Sequence, residues 1–313
     1  MERRPKVFLD MDIGDEVDDA LALYMAMFLN FEIVGVTTVF RNTRQRAVMA
    51  KKLLKTYGQG YAQVPVFAGY GQNPSLPRAD YPDIPHWTED LDDPEYAPDG
   101  TDPEKAVEHL ISCCEAYGKD LTLIAIGPFT NIARALEKRP QALSGIGRVV
   151  IMGGAYFRQY ADWNVMCDVE AAEGMFRGLS NLHCIGADVT HQLEVSSEDL
   201  QRLLTTPGAT PAAELIRRWL ALWEQQRKFP YPLMLHDPLA VYYAACPQVC
   251  RMVSACVAVL TEGYGRGMTL NVDAYRKAPM NPAYRDFPWE RKAMVAESVC
   301  REDMMEAFMA CFP

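Results

Sequence analysis

A dense group of carboxylates follows the first apolar segment of the chain. Asp10 ends the run that begins at Lys6, and further acids follow at once: Asp12, Asp15, Glu16, Asp18 and Asp19. Helix capping accounts for one acid at the start of the next helical segment, but not for so many together. Crowded carboxylates repel one another and have raised pKa values, and a bound cation removes that cost. Because hard oxygen ligands suit Ca²⁺ or Mg²⁺, the loop is predicted to bind a metal ion.

The overall charge and the apolar runs limit the classes of function. A formal net charge of -10 and a pI near 5.1 argue against non-specific nucleic-acid binding and against an anionic membrane surface. No apolar run approaches the roughly 20 residues that span a bilayer, and the segment 7–9 is too short for a signal-peptide core. The nine cysteines are odd in number and lack the Cys-x-x-Cys spacing of a zinc site. These features predict a cytoplasmic protein with free thiols.

Short apolar runs alternate with longer helical patterns, which predicts an α/β fold. Runs such as 121–126 are apolar without alternation, as in strands covered on both faces. We expect a single large domain over residues 1–313, with an open, mostly parallel central sheet flanked by helices, and a long loop at 72–102. The predicted strands are 6–10, 32–39, 121–126, 148–152, 182–188 and 255–261. The predicted helices are 18–30, 43–57, 103–117, 130–138, 168–178, 211–227, 238–245 and 302–311.

Informative polar groups follow the predicted strands. Asp10 follows the first strand, Asn42 the second, Gly127 the third and the pair Gly153-Gly154 the fourth. In open α/β sheets, ligands bind beyond the carboxyl ends of the strands. The sequence therefore predicts one site at this edge of the sheet.

Two enzyme classes have a comparable acidic loop. Asp10-Met-Asp12 resembles the Asp-x-Asp motif of haloacid dehalogenase-like phosphatases, although Gly14 stands where a Thr or Val normally follows. The loop more closely resembles the Asp-x-Asp-Pro-Gly-x-Asp-Asp-Ala signature of the nucleoside hydrolase family. Here Ile13 replaces the Pro, and the loop is two residues longer before Asp18. A phosphatase with Asp10 as nucleophile and a non-catalytic nucleoside-binding protein stay open as alternatives.

The resemblance to nucleoside hydrolases continues along most of the chain. Further segments similar to the family occur in the family's order: 35–42, 123–131, 150–155, 162–164, 186–191, 235–240 and 267–269. Within them, Asp162 stands where the family usually has Glu. The resemblance implies hydrolysis of the N-glycosidic bond of nucleosides to free base and ribose, and hence a role in purine or pyrimidine salvage.

The same resemblance implies a role for individual residues. It implies that Ca²⁺ is held by Asp10, Asp19, Asp237 and the main-chain carbonyl of Ile126. Asp10 would accept a proton from a Ca²⁺-bound water that attacks C1′, and His236 would protonate or polarise the leaving base. Contacts to substrate are implied for Asp18, Asn42, Met152, Asp162, Asn164, His236 and Asp237. Asp12 is assigned to loop structure, and Asp15 and Glu16 receive no role.

The remaining histidines and aromatic residues carry no such support. His86, His109, His183 and His191 are expected to face solvent or to be satisfied core histidines, and Tyr231 could reach a nucleobase. The expected partner is a small-molecule nucleoside, with neither nucleic acid nor membrane. The resemblance also implies a homodimer or a homotetramer.

Overall fold

The computed structural model describes residues 4–72, 91–226, 231–273 and 292–312. The described strands are β1 Lys6–Met11, β2 Glu32–Thr38, β3 Val66–Ala68, β4 Leu121–Ala125, β5 Arg148–Met152, β6 Leu182–Ile185, β7 Cys250–Val259, β8 Thr269–Asn271 and β9 Lys292–Val299. The helices are α1 Asp18–Phe28, α2 Thr43–Tyr57, α3 Pro103–Tyr117, α4 Thr130–Lys138, α5 Pro140–Ser144, α6 Trp163–Cys167, α7 Val169–Gly178, α8 Ala187–Thr190, α9 Ser197–Thr205, α10 Pro211–Gln226, α11 His236–Ala245 and α12 Arg301–Ala310.

The strands form one sheet in the order β3-β2-β1-β4-β5-β6-β9-β7-β8. Neighbouring strands from β3 to β9 are parallel, and β7 is antiparallel to both β9 and β8. The fold is therefore the predicted α/β architecture, with a mostly parallel sheet and one antiparallel end. In the parallel part, all strands end at the same edge.

Both faces of the sheet are buried, which explains why its strands lack alternation. In β1, Val7 and Leu9 belong to the core on the side of α1, α10 and α11, whereas Phe8 belongs to the core on the side of α3, α4 and α7. All three side chains are fully buried. Successive residues of a strand point to opposite faces, so a strand between two helical layers is apolar at nearly every position.

The predicted elements are found, with shifts at several ends. The predicted strand 182–188 ends at Ile185, because Gly186 starts the short helix α8. The strand predicted at 255–261 begins earlier, at Cys250. Sequence reasoning missed β3, β8 and β9 and the short helices α5, α6, α8 and α9. Of the loop predicted at 72–102, residues 73–90 lie outside the described part, and residues 94–96 form a single 3₁₀ turn.

No helix in the described ranges combines the length and the apolar character needed to cross a membrane. All nine cysteines are free thiols.

Candidate active site

The carboxyl edge of the sheet carries a buried cluster of three carboxylates. Asp18 and Asp19 lie in the first turn of α1, and Asp237 lies in the first turn of α11. Carboxylate oxygens of the three residues all lie within 4.8 Å of one another. The main-chain N–H of Asp237 donates to Oδ2 of Asp18 at 3.3 Å, so two segments 219 residues apart are joined at this point. Two helix N-termini thus bring their acids to one place, where the helix dipoles favour negative charge.

Asp12 belongs to the same charged group. Its side chain is buried, and its main-chain N–H donates to Oδ1 of Asp19 at 3.2 Å. A methyl group added at Gly127, the residue after Ile126, would lie 2.9 Å from Oδ1 of Asp12. The carboxylate of Asp12 therefore lies between the acidic cluster and the end of β4.

Asp10 is set apart from this group. It is fully buried, and its Oδ1 accepts hydrogen bonds from Thr37 Oγ1 at 2.6 Å and from Asn131 Nδ2 at 2.7 Å. Oδ2 is also buried and makes no hydrogen bond with the described residues. Burial raises the pKa of Asp10 to about 7, the two hydrogen bonds oppose this shift, and no described acid contributes to it. Asp10 is thus held among strands β1 and β2 and helix α4.

The electrostatics distinguish the two aspartates of the Asp-x-Asp motif. Burial raises the pKa of Asp19 well above its usual value, and the next contribution is the charge of Asp12. The pKa of Asp237 is also raised by burial first, then by the charges of Asp18, Asp19 and Asp12. The sequence-based assignment, with Asp10 as base and metal ligand and Asp12 as a structural residue, stays a prediction. Asp12, and not Asp10, shares the charge of the cluster.

The ends of β4 and β5 are joined by Asn164 at this edge. Its Nδ2 donates to the carbonyl of Ile126 at 3.0 Å and to the carbonyl of Met152 at 3.1 Å. Asp162 caps α6 by accepting from the N–H of Val165 at 3.3 Å, and burial raises its pKa to about 6. Its charge also contributes to the raised pKa of Asp237. Asp162 is therefore close enough to the cluster to act on Asp237, and Asn164 binds the carbonyl that was predicted as a metal ligand.

Asn42 lies at the next turn, where it caps α2. Its Oδ1 accepts from the N–H of Gln45 at 3.2 Å, and its Nδ2 donates to Gln45 Oε1 at 3.0 Å. Capping satisfies orphan N–H groups of the helix and fixes the position of this side chain. A contact between Asn42 and ribose stays a prediction.

His236 begins α11, next to Asp237, and contacts a second histidine. Its Nδ1 lies 2.7 Å from Thr190 Oγ1, and its ring packs edge-on against His191 with centroids 5.5 Å apart. Burial, and then the neighbouring His191, lower the pKa of His236 to about 4. The imidazole is therefore neutral near pH 7, and it can polarise a leaving group more readily than it can act as a cationic acid.

The other histidines differ in their surroundings. His109 packs between Phe8 and Phe67, and His183 Nδ1 lies 2.7 Å from the hydroxyl of Tyr243, so both are satisfied core histidines as expected. His191 is exposed, as expected, and its ring packs beside that of His236. His86 lies outside the described residues, and Tyr231 is largely exposed.

Sequence reasoning missed several residues that hold the site. Thr37 and Asn131 fix Asp10, and Thr190 fixes His236. Asn131 carried a detectable signal, because it is a polar residue in an apolar helical segment that directly follows a strand-terminating Gly-Pro. Thr37 and Thr190 lie in the family-like segments 35–42 and 186–191, but no role was assigned to them, because β-branched residues there are equally typical of strand or core.

The described carboxylates also predict how stability depends on pH. In the metal-free protein, Asp18 and Asp162 have pKa values of about 7 and about 6, well above an unfolded value near ~3.9. The folded state then binds more protons, so stability is full at low pH and is lost as pH rises through the folded values. We expect Tm in chelator to fall by ~5 °C or more between pH 5 and pH 8 in thermal unfolding.

Added Ca²⁺ should remove most of this fall, because a bound cation compensates the charges that protons compensate at low pH. NaCl at the same ionic strength is the control and should restore little. The lowered pKa of His236 opposes this fall below its unfolded value of ~6.5. A metal-free Tm that rises between pH 7 and pH 8 would contradict the buried acidic cluster.

The fold and the site together define an open α/β protein with a buried acidic centre at the carboxyl edge of its sheet. Residues 7–306 match the family described as inosine-uridine preferring nucleoside hydrolase. The chain belongs to this family.

Individual relatives agree with this match over most of their lengths. Uridine nucleosidase 1 of Arabidopsis thaliana is 30% identical over 281 residues, which cover 86% of this chain and 82% of that protein. The pyrimidine-specific ribonucleoside hydrolase RihA of Klebsiella pneumoniae is 30% identical over 286 residues, covering 88% of this chain and 91% of that protein. Among solved structures, the purine-preferring ribonucleoside hydrolase from Gardnerella vaginalis superposes with a TM-score of 0.74 at 26% identity and covers 98% of this chain and 97% of its own.

Proposed function

We propose that this chain hydrolyses the N-glycosidic bond of ribonucleosides to free base and ribose. The observation that carries the proposal is the buried cluster of Asp18, Asp19 and Asp237 at the carboxyl edge, in a chain that matches nucleoside hydrolases over residues 7–306. The family match favours this reaction over the phosphatase and over a non-catalytic binder.

The donor set fits a hard divalent cation, and we propose Ca²⁺. Buried carboxylates with raised pKa values are the ligands that such a cation favours, and Ca²⁺ tolerates irregular sets of six to eight oxygens. Asp12, Asp19, Asp237 and the Ile126 carbonyl would hold it. When bound, the cation would lower the pKa of a water molecule and orient the 2′- and 3′-hydroxyls of ribose.

The residues of the chain then have distinct tasks. Asp12 accepts the proton of the water that attacks C1′ while the bond from C1′ to the base nitrogen breaks. The ribosyl group becomes cation-like in this step, and the buried carboxylates around it stabilise that charge. Asp18, Asp162 and Asn164 contact the ribose hydroxyls and hold the sugar in the reacting orientation, with Asn42 and Met152 at its margin. Asp10 stabilises the start of the β1–α1 loop through its hydrogen bonds with Thr37 and Asn131.

The leaving base takes up electron density as the bond breaks. His236 adjoins Asp237 in sequence and is neutral near pH 7, so it can donate a hydrogen bond to the base through the nitrogen that Thr190 does not engage. Thr190 fixes the ring orientation for this task. His236 is thus the candidate for leaving-group activation.

Replacing His236 by Ala should lower kcat for a natural nucleoside by about 10²–10⁴-fold, the usual contribution of acid–base assistance. The same variant should lose less than ~10-fold on 4-nitrophenyl riboside, because that leaving group is stable as an anion and needs no proton. Steady-state kinetics on both substrates test this. Equal losses on both would contradict a leaving-group role and would indicate a role in sugar binding.

A panel assay tests the function itself. Wild-type protein is incubated with purine and pyrimidine ribonucleosides, deoxyribonucleosides and phosphomonoesters, and free ribose, free base and phosphate are measured. We expect free ribose and free base from at least one nucleoside, and no phosphate. Phosphate release without ribose would support the phosphatase instead, and nucleoside binding without either product would support the binding protein.

The panel also addresses the choice of base, on which the relatives differ. Their names include uridine nucleosidase, pyrimidine-specific ribonucleoside hydrolase and purine-preferring ribonucleoside hydrolase. A homodimer or homotetramer and a cytoplasmic location stay predictions.

A further inference from the structure

Arg46, in the first turns of α2, is the largest fully buried side chain of the described residues. Its guanidinium donates to three main-chain carbonyls and to one carboxylate. Nη1 contacts the carbonyl oxygens of Asp12 and Ile13, the latter at 3.1 Å; Nε donates to the Phe40 carbonyl at 2.7 Å, and Nη2 donates to Asp15 Oδ1 at 2.8 Å. A guanidinium is almost never fully buried unless it is paired, so this arrangement has a specific cause.

One part of this network fixes the acidic loop between β1 and α1. Arg46 binds the main-chain carbonyls of the proposed base Asp12 and of the next residue, Ile13. Gly14 follows with a left-handed backbone conformation, φ 116°, before the chain reaches the acids at the start of α1. The two residues that lengthen this loop relative to the family signature are also anchored. Asp15 pairs with Arg46, and Glu16 Oε2 accepts from Trp223 Nε1 of α10 at 2.8 Å. The two additional residues of the loop are therefore fixed by side chains of α2 and α10.

The other part fixes the turn between β2 and α2. Phe40 and Arg41 both have left-handed backbone conformations, with φ 69° and 57°. Two consecutive non-glycine residues in this region cost free energy, and such a turn persists only where its surroundings hold it. Arg46 Nε holds the carbonyl of Phe40, and Asn42 follows two residues later. One side chain thus joins the loop of the proposed base to the turn of a proposed ribose contact.

The charge of Arg46 also acts on the acids of the site. It opposes the effect of burial on the pKa of Asp12 and of Asp19, and it favours their ionised forms. A fixed cation close to this loop offsets part of the repulsion among the carboxylates. It therefore stabilises the loop in its charged state.

We propose that Arg46, held by Asp15, is a positioning residue that sets Asp12 and Asn42 in the geometry for metal and ribose binding. That these two loops bind metal and ribose rests on the proposed function, whereas the connection between the two loops rests on the contacts of Arg46. In this role Arg46 acts through the main chain of the two loops and not through direct contact with substrate or metal.

The test compares Arg46→Met, Arg46→Lys and Asp15→Asn with the wild-type full chain. Ca²⁺ affinity is measured by calorimetry, and kcat and KM are measured on the best nucleoside of the panel. We expect the Kd for Ca²⁺ to rise about 10–100-fold in Arg46→Met, the usual effect of outer-shell changes, with a parallel loss in kcat. Arg46→Lys should recover only part of this, because an ammonium cannot reproduce the fork of donors. Asp15→Asn should weaken Ca²⁺ binding about 10-fold.

Arg148→Met is the matched control, since Arg148 is a half-buried arginine at the start of β5, at the opposite edge of the sheet. It donates to the Ala244 carbonyl at 2.5 Å and to Thr122 Oγ1 at 3.3 Å. This variant should lose stability in urea unfolding while its Ca²⁺ affinity and kcat stay as in the wild type.

Wild-type Ca²⁺ affinity in folded Arg46→Met and Asp15→Asn would overturn the proposal, as would a wild-type chain that binds no Ca²⁺. If Arg46→Met does not fold, Asp15→Asn decides, because Asp15 is partly exposed and the change affects only its pairs with Arg46 and Arg41. A wild-type chain that binds Ca²⁺ but cleaves no nucleoside would overturn the proposed function instead. The comparison of Ca²⁺ affinities would then still test whether Arg46 positions the metal-binding loop.

Discussion

Asp12→Asn is expected to lower kcat by at least ~10³-fold while the protein stays folded, because the substitution removes the proposed base and one carboxylate of the charged group. Asn has nearly the same shape as Asp, and the contacts of Asp12 with Arg46 and Asp19 go through its main chain, so they are retained. Removing one charge from a crowded buried group should leave the unfolding free energy in chelator equal or higher near pH 8. Steady-state kinetics and urea unfolding measure both effects.

Asp10→Asn is the matched control for this experiment, because it makes the same change two residues earlier. The oxygen of the new amide can still accept from Thr37 and Asn131, so we expect a loss of about 10–100-fold, as for a residue that supports a site from outside. The opposite result, with Asp10→Asn inactive and Asp12→Asn nearly active, would restore the assignment made from sequence alone. Equal and small losses would place the base elsewhere.

The proposed exchange of roles between Asp10 and Asp12 illustrates where sequence reasoning stops. The motif places two acids one residue apart at the end of a strand, and which of them faces the site depends on where the strand ends. β1 continues to Met11, so Asp10 is still a strand residue and lies on the same face as Phe8. Asp12 follows the strand, so the alternation of side chains between the two faces of a sheet does not determine its direction. A shift of one residue at a strand end therefore changes the face of the side chain, and strand ends are poorly marked in sequence.

The central part of the fold was predictable for a physical reason. β1, β4 and β5 are apolar on both faces, and α2, α3 and α4 have the bounds that their periodicity indicates. β8 and β9 were not predicted: β8 has only three residues and pairs with β7 alone, and β9 lies where the sheet changes from parallel to antiparallel pairing. β9 pairs with β6 and β7, and it carries charged residues at Lys292 and Glu297 that weaken an apolar pattern.

The contacts of Arg46 and Thr190 were beyond sequence reasoning for another reason. An arginine in the first turn of an amphipathic helix is normally taken as an exposed charge, and here it is fully buried. Its partners, the carbonyls of Asp12 and Phe40, are main-chain groups, which leave no trace in residue types. The pairing of Thr190 with His236 joins segments 46 residues apart and depends on how α8 meets α11.

Removal of divalent cations is expected to abolish nucleoside hydrolysis, and Ca²⁺ is expected to restore it better than Mg²⁺. The proposed ligands come from the β1–α1 loop, the first turn of α1, the end of β4 and the start of α11, and include one carbonyl. Such a set provides many oxygens without a rigid octahedral arrangement, which suits Ca²⁺, whereas Mg²⁺ requires short distances and near-ideal geometry. Prolonged dialysis against chelator, followed by addition of each metal and a kinetic assay, measures the effect.

Asp237→Asn provides the control that separates this site from non-specific effects of the chelator. Asp237 is buried and closes the cluster from α11, so the variant should need at least ~10-fold more Ca²⁺ for half-maximal activity, if activity returns at all. Glu198→Gln, an exposed acid in α9, should have the wild-type Ca²⁺ dependence. Full activity of the chelated wild type would exclude the cation from the reaction. Because the buried carboxylates repel one another, such a result would mean that protons alone compensate their charge, and activity would then have to fall steeply as pH rises through their raised pKa values.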